Sequence, residues 1–460
     1  MNNNNVLLCS VLVLALSAVN VSAKVSSSDA GKLGKSLTPF GSIQSGNKAN
    51  TIPEWTGGIT KVPEGYKGTG QHHIDPFSSD KIKFTVDKSN YKGFKKYLTP
   101  GQYALFEAYA DTFKLNVYPT HRSHSMPDWV LENTKKNALR SQLSRNGVGI
   151  KDAYGGIPFP ILHGSNSDKA LQAMWNHLTR WRGTFVTSRT TEVAVQRDGR
   201  YGPITKHQEV FFNFHNPEGS FKEMNNILFY FLTFNKAPPR LAGGALLVHE
   251  TMDQSKEKRQ AWDYNSGQRR VRRAPNIAYD SPIASSDNTR TADDTDMYNG
   301  SPDRYNWEYK GVKEFFIPYN NYKISEKGLK YSDIVMPGHI NPDHVRWELH
   351  RVHVVEAKLK KDARHIYKKR VFYLDEDSWG IALVDQYDTR GELWRVSMAL
   401  LKNFYELPGT WTGLNMFHDL QSRRYSANGL YSEEKRAPLF ENKIPNKRYF
   451  KPSSLRRRGR

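Results

Sequence analysis

Beyond residue 183 the apolar positions recur at every second residue, the period of a half-buried β-strand. Phe185, Thr187, Arg189, Thr191, Val193 and Val195 fall on one face of a long candidate strand. Further strands are predicted at EVFFNFH (209–215), NILFYFLTF (226–234), GALLVHETM (244–252), QAWDYN (260–265), QRRVRRA (268–274) and RWELHRVHVVEAKL (346–359). Asn265-Ser266-Gly267 closes a hairpin between two of them. Residues 370–397, RVFYLDEDSWGIALVDQYDTRGELWRVS, read as three aromatic-rich strands with tight turns at Asp375-Glu376-Asp377 and at Asp388-Thr389-Arg390-Gly391. Short polar side chains there bond their own backbone, and Gly391 is free to take positive φ.

Upstream, the spacing is that of helices. Thr99 followed by Pro100 supplies an N-cap with proline at the first helical position, opening GQYALFEAYADTF, and Pro127 opens DWVLENTKKNALRSQL. In SDKALQAMWNHLTRWRG, Ser167 caps, and Leu171, Met174, Trp175, Leu178 and Trp181 or Arg182 follow at helical spacing up to Gly183. Residues 24–97 have little periodicity and much Gly, Pro, Ser and Lys, which reads as an extended arm laid over the body. Residues 275–345 interrupt the strands for longer than a plain loop allows, so they read as an ordered insertion or flap over the sheet. The expected fold class is α+β, a curved antiparallel sheet packed with helices and preceded by an extended N-terminal arm. The expected organisation is a leader at 1–23, the arm at 24–97, a helical segment at 98–182, the sheet at 183–450 with its insertion at 275–345, and a basic tail at 451–460.

The ends of the chain change the picture next. MNNNNVLLCSVLVLALSAVNVSA has an apolar core from Val6 to Val19 and finishes in Val21-Ser22-Ala23, a small-residue cleavage pattern. A cleaved signal peptide and export are expected, with an uncleaved anchor as the alternative. The single cysteine, Cys9, lies in that apolar core, so no mature disulfide or Cys-ligated metal is expected. The net charge of +21 favours acidic surfaces as partners. Part of it sits in the tail KPSSLRRRGR, where Lys451, Arg456, Arg457, Arg458 and Arg460 suit anionic headgroups or simply a solvated disordered end. An exported protein rarely meets nucleic acid, so peripheral membrane contact is preferred.

Candidate chemistry is thin. Asp293-Asp294-Thr295-Asp296 invites calcium, but the spacing fails the EF-hand register, and turn-forming side chains explain the run more simply. His350 and His353, with Glu348 and Glu356 nearby, are the histidines to test for a metal. On one strand His353 points away from His350 and Glu348, so the three cannot converge, and no ligand is assigned. His72-His73 is a bare dipeptide in the arm. No G-x-S-x-G elbow is present. Asp375, Glu376 and Asp377 suggest an acid pair for glycoside chemistry but read as solvated turn residues. Neither catalytic residues nor cofactors are expected.

Aromatic content is the stronger signal, with 10 Trp, 24 Tyr and 22 Phe, many at alternating strand positions. On RWELHRVHVVEAKL one face carries Trp347, Leu349, His353, Val355, Ala357 and Leu359, with Arg351 as its exception. Such faces either form the core against helices or curl round a cavity for an apolar ligand. On the second reading, Phe212, Phe214, Trp262, Tyr264, Trp347, Leu349 and Trp379 line that cavity. Arg269, Arg270, Arg272 and Arg273 then meet an anionic headgroup or a partner surface, or simply protect an exposed hairpin edge.

The hairpin QAWDYNSGQRRVRRAP, the run GGIPFPIL followed by WNHLTRWRG, the strands VFYLDEDSWGIALVDQYDTRGELWRV, and the early NTIPEWTGGIT, DPF and VYPTHRS together resemble a widespread Gram-negative family without established function, described as outer-membrane lipoprotein-sorting-like. The W-x-Y-x-x-x-x-R-R-V-R-R hairpin and the Y-L-D-x-D-x-W strand are also similar to the LolA and LolB lipoprotein carriers. That resemblance implies an incomplete antiparallel β-barrel closed by helices around an acyl-chain cavity. It further implies resistance-nodulation-division exporters and an outer-membrane β-barrel protein as partners. The chain departs from the carriers in its length, its arm and its insertion. Three functions are therefore expected in order: a periplasmic carrier for a lipid-like ligand, a non-catalytic envelope-assembly or exporter-accessory protein with a filled core, and an enzyme acting on envelope glycans.

Overall fold

The alternating pattern resolves into one open sheet of 16 strands in a computed structural model that describes residues 25–274, 279–441 and 443–458. In chain order the strands are β1 (Phe84–Val86), β2 (Leu115–Val117), β3 (Gln142–Leu143), β4 (Ile150–Lys151), β5 (Phe185–Val195), β6 (Tyr201–Phe211), β7 (Ile227–Ala237), β8 (Ala245–Thr251), β9 (Gln260–Asn265), β10 (Arg270–Arg273), β11 (Tyr305–Pro318), β12 (Trp347–Leu359), β13 (Lys369–Asp375), β14 (Ile381–Tyr387), β15 (Leu393–Phe404), β16 (Gly409–Asp419), β17 (Arg424–Leu430) and β18 (Leu439–Glu441). The helices are α1 (Ser27–Ala30), α2 (Pro100–Ala108), α3 (Asp128–Arg140), α4 (Asn166–Leu178), α5 (Tyr331–Ile334) and α6 (Pro452–Arg458). β3 and β4 form a separate hairpin.

Two antiparallel meanders are spliced edge to edge. β5 to β10 form the first, β11 to β17 form the second, and pairing of β17 with β5 joins them, Tyr425 opposite Val195 and Ala427 opposite Val193. β10 and β11 lie at the two outer edges of this continuous run and do not meet, so the sheet is not closed. The α+β class with an incomplete antiparallel barrel is the fold the chain adopts.

Both faces of the second meander are covered, which is why β12 and β14 to β16 read as nearly continuous burial rather than alternation. α4 packs on β11 and β12 from one face. On the other, α2 sits against β14 and β15, where Gly101 lets the helix approach Asp385 so closely that a Cβ would lie 2.2 Å from its Oδ1. α2 is opened by Thr99 and Gln102 in a reciprocal capping box, as the Thr99-Pro100 pair predicts. α4 differs by two residues from expectation. Its cap is Ser165, boxed with Asp168, rather than Ser167, and it ends at Leu178.

The segment 275–345 differs from a plain insertion. Tyr305–Pro318 within it is the 14-residue strand β11, paired along the whole of β12. Ala292–Met297 is clamped to the sheet by buried ion pairs. Arg370 forks onto Asp293 at 2.8 and 2.9 Å, Asp294 accepts from Gln386 and Tyr367, and Asp296 accepts from Arg180 at 2.5 Å and Arg182 at 2.6 Å. The acidic run is thus an anchor for this segment. The arm is extended and lies on the body, with Trp379 Nε1 donating to the Phe40 carbonyl and Trp55 Nε1 to the His124 carbonyl. The tail is ordered as far as it is described: α6 buries Leu455, and Arg458 bonds Glu209. The predicted leader and Arg460 lie outside the described residues. Among those described, no helix is long and apolar enough to cross a membrane.

Candidate ligand-binding face

The first meander is where alternation survives, because one of its faces is closed by the C-terminal segment instead of by helices from the body. Along β5 to β9 that face carries Phe185, Phe211, Tyr230, Leu232, Phe234, Ala245, Leu247, Trp262 and Tyr264, which follow from the register Phe185 to Phe211, Phe211 to Tyr230, Leu232 to Leu247 and Ala245 to Tyr264. Phe450, Leu455, Ile444 and Tyr449 of the C-terminal segment pack onto it. Phe450 is fully buried and stacks on Tyr230 at 5.0 Å between ring centres, and its carbonyl lies 2.7 Å from His249 Nε2. α6 continues across to β8, β9 and the edge strand β10.

This C-terminal strap leaves two grooves beside it. One, of about 900 Å³, is lined by Thr187, Arg189, Thr205, His207, Tyr331 and the segment Glu433–Ala437. The other, of about 910 Å³, is lined by Phe185, Thr187, Glu209, Ile444, Tyr449 and Arg457 among others. Thr187 and His207 belong to both, so the grooves meet at the centre of the β5–β6 pair. Of the four acids lining the grooves, Glu433 accepts from the Tyr331 N–H and Glu441 from the Thr187 hydroxyl, with no cation paired to either among the described residues, whereas Glu434 pairs with Arg189 at 2.9 Å and Glu209 takes bonds from His207, Tyr449 and Arg458. Those bonds hold Glu209 below the usual carboxylate range although burial pushes it up. Lys435, Arg436, Lys443, Arg448 and Arg457 also line the grooves and form no ion pair among the described residues. The groove floors are largely polar, Thr187, Arg189, Thr205 and His207, with Phe185, Leu439 and Ile444 as their apolar parts, and the unpaired cations suit an anionic head.

The expected cavity residues do not gather in one place. Trp262 and Tyr264 lie on the strap-covered face, and His249 packs against the Trp262 ring at 4.7 Å. Phe212 and Phe214 belong to the main core: Phe212 points to the opposite face of the sheet, lies under the Arg182 guanidinium at 4.5 Å and edges onto Trp411, and Phe214 packs on Tyr154. Trp347 and Leu349 are buried in the same core at the start of β12. Trp379 stacks on His353 at 4.4 Å. None of the seven lines either groove. Side chains fill the interior between sheet and helices, which alternation along a single strand cannot reveal. Arg269, Arg270, Arg272 and Arg273 are exposed on the edge hairpin, and none forms an ion pair among the described residues.

A third cleft, of about 660 Å³, is polar. Arm residues 71–80 face Asn320–Lys323 and Asp343–Arg346 across it. His73 on its wall donates from Nε2 to Glu406 at 2.9 Å and accepts at Nδ1 from Lys402 at 3.1 Å. Burial brings the Lys402 ammonium down to about 7, but Lys402 does not line the cleft and spends its other donors on Ser325 and Tyr431. Asp375, Glu376 and Asp377, expected as solvated turn residues, are instead buried and bound to arginines and serines, which also removes them as an exposed acid pair.

Comparison with known proteins places the chain. It is 44% identical over 449 residues to the uncharacterized protein PA3922 of Pseudomonas aeruginosa, an alignment spanning 98% of this chain and 97% of that one. Among solved structures it is similar to a putative outer membrane lipoprotein-sorting protein domain from Vibrio parahaemolyticus, at 15% identity and a TM-score of 0.44 over 63% of this chain and all of that one. It is also similar to a DUF1329 family protein from Desulfovibrio piger, at 12% identity and a TM-score of 0.41 over 64% of this chain and all of that one. The LolA superfamily protein NE2245 from Nitrosomonas europaea aligns at 11% identity and a TM-score of 0.37, over 63% and 98% of the two chains. The family model described as protein of unknown function, DUF1329, matches residues 85–456, and the chain belongs to that family.

Proposed function

We propose that this protein is a non-catalytic carrier of a lipid-like ligand in the Gram-negative envelope, and that the ligand's acyl chain lies on the β5–β9 face beneath the C-terminal strap. One observation supports the reading above the others. A continuous aromatic and aliphatic face is covered by a terminal segment that contributes Phe450 and Leu455 as plugs, with grooves and unpaired cations on both sides. Displacing the strap would exchange its apolar contacts for those of an acyl chain, worth roughly 0.8 kcal/mol per buried CH₂. A resistance-nodulation-division exporter and an outer-membrane β-barrel protein are the partners this reading proposes for delivery.

Native mass spectrometry with solvent extraction, on protein purified from the periplasm without detergent, tests the proposal. A stoichiometric lipid-like adduct that is lost in Trp262→Asp is the expected result. An apo mass, with no uptake of a fluorescent fatty acid by the full-length chain or by a chain ending at 442, would sink it. That outcome would favour an exporter-accessory or assembly protein acting through its surface, a reading supported by the filled interior of the second meander.

A further inference from the structure

At the end of β13 the chain turns through three buried carboxylates. Arg122 forks onto Asp377, Nη2 to Oδ1 at 2.6 Å and Nε to Oδ2 at 2.9 Å, and the Ser42 hydroxyl adds a bond to Oδ1. Glu376 accepts from Arg351 at 2.7 Å and from the Ile43 N–H. Asp375 has no arginine or lysine partner among the described residues. Its Oδ2 accepts from the Ser378 N–H and hydroxyl, while Oδ1 is buried with no hydrogen-bond partner.

What Oδ1 faces is His350, on the adjacent strand β12. His350 Nε2 bonds Glu348 Oε2 at 3.0 Å, and Glu348 is held in turn by Arg346, Asn320 and the His121 N–H. A carboxylate on Nε2 holds a ring proton there and leaves Nδ1 turned toward Asp375, where its lone pair can bind an ion. Nδ1 and Asp375 Oδ1 are 3.8 Å apart, too far for a hydrogen bond. A lone pair facing a buried carboxylate oxygen is costly in a low dielectric unless a proton or a cation answers it. Two ligands of one ion, each at about 2.0–2.2 Å, sit roughly 3–4 Å apart. The Asp377 carboxylate completes the group, since ligand atoms of His350, Asp375 and Asp377 all lie within 4.8 Å of one another. The buried Tyr319 ring lies 4.2 Å from His350, and its hydroxyl has no hydrogen-bond partner.

We propose that His350 Nδ1, Asp375 Oδ1 and the Asp377 carboxylate bind one divalent transition-metal ion of the zinc or manganese type. Imidazole with carboxylates is a borderline donor set that suits such ions, and a carboxylate on the outer nitrogen of a ligating histidine is their usual supporting partner. The ion also supplies missing charge, because Arg122, Arg351 and Arg346 face five carboxylates, Asp377, Glu376, Glu348, Asp80 and Asp375. None of the ligands lines a cleft described above, so the role is structural. The ion ties the β13 turn to β12 and, through Ser42 and Ile43, holds the arm on the sheet.

The full-length protein, produced in cells supplied with zinc, manganese or cobalt and purified without chelator, is expected to carry one equivalent of at least one of these ions by elemental analysis. The cobalt form should show visible d–d absorption, and prolonged chelation should lower Tm. Asp375→Asn, which keeps the shape of the side chain, is expected to weaken retention by about tenfold or more. Should that variant not fold, Glu348→Gln, which weakens the support of His350 without touching a ligand, takes its place with the same expectation. Metal below about a tenth of an equivalent in all three preparations, with a Tm indifferent to chelator, overturns the proposal. A folded Asp375→Asn protein that retains metal like the natural chain overturns it equally.

Discussion

Asp385 is expected to make the stability of the fold depend on pH. Its carboxyl is buried between β14 and α2, accepting from the Gly101 N–H at 3.0 Å and the Tyr373 hydroxyl at 2.9 Å. Burial nonetheless pushes it up to about 7. A carboxyl raised in the folded state binds its proton more tightly there than in the unfolded chain, where it ionises near 3.9. Its stabilising effect is therefore complete below about pH 4 and declines as pH rises to about 7, by roughly 4 kcal/mol at most. Asp385→Asn imitates the protonated form. The expected outcome is a variant about as stable as the natural chain at pH 4 and more stable at pH 8, read as Tm against pH. Parallel curves for the two proteins would show that Asp385 stays ionised, held by its donors. Nothing in the sequence VDQYD marks this residue out, because the pressure on it comes from a helix placed 284 residues earlier in the chain.

At the scale of elements, the sequence was readable where apolar and aromatic residues recur without interruption, in the first meander and equally in the buried β12, predicted at 346–359 and found at Trp347–Leu359. β5, β7, β8 and β9 fall within two or three residues of the alternation that predicts them, and the hairpin at Asn265-Ser266-Gly267 joins β9 to β10. β16 and β17 were missed because both of their faces are largely buried and Asn, Gly and Ser interrupt the aliphatic run. β6 was recognised only at its end, since Gly202 and Pro203 disguise a strand whose proline sits opposite Val193. Of the strap only 451–460 was read as a tail, because KPSSLRRRGR shows its charges and conceals Leu455, which docks beside Phe450. If the strap is a displaceable cover, it should loosen by itself. Phe450→Ala removes a buried ring whose loss in an integral core costs about 3–5 kcal/mol. Here it is expected to raise amide exchange across 443–458 while global unfolding in denaturant moves little. A global loss of that size without local loosening would make the strap part of the core and argue against a ligand beneath it.

For the whole molecule, topology was the least visible property, because pairing β17 with β5 joins residues some 230 positions apart in sequence, and no local pattern encodes such a contact. The candidate face was visible only in part. Trp262 and Tyr264 announce it, whereas its other walls come from strands that pair across turns and from a C-terminal segment. Charge is the whole-molecule quantity that sequence does state, and the structure shows where some of it is free. The edge strand β10 and its turn present Arg269, Arg270, Arg272 and Arg273 to solvent beside α6, which adds Arg456 and Arg457. An exposed edge lined with cations resists pairing with another chain and also attracts an anionic bilayer, at about 1 kcal/mol per residue near the surface. The two effects separate in one variant. Replacing the four edge arginines by glutamine should leave Tm nearly unchanged, since they make no ion pairs among the described residues. It should weaken sedimentation with phosphatidylglycerol vesicles at low salt by more than tenfold, and the difference should shrink at 0.5 M salt, where the Debye length falls to about 4–5 Å. Equal vesicle binding by the two proteins, together with new concentration-dependent aggregation of the variant, would mean that these arginines guard the edge and that the membrane is met elsewhere.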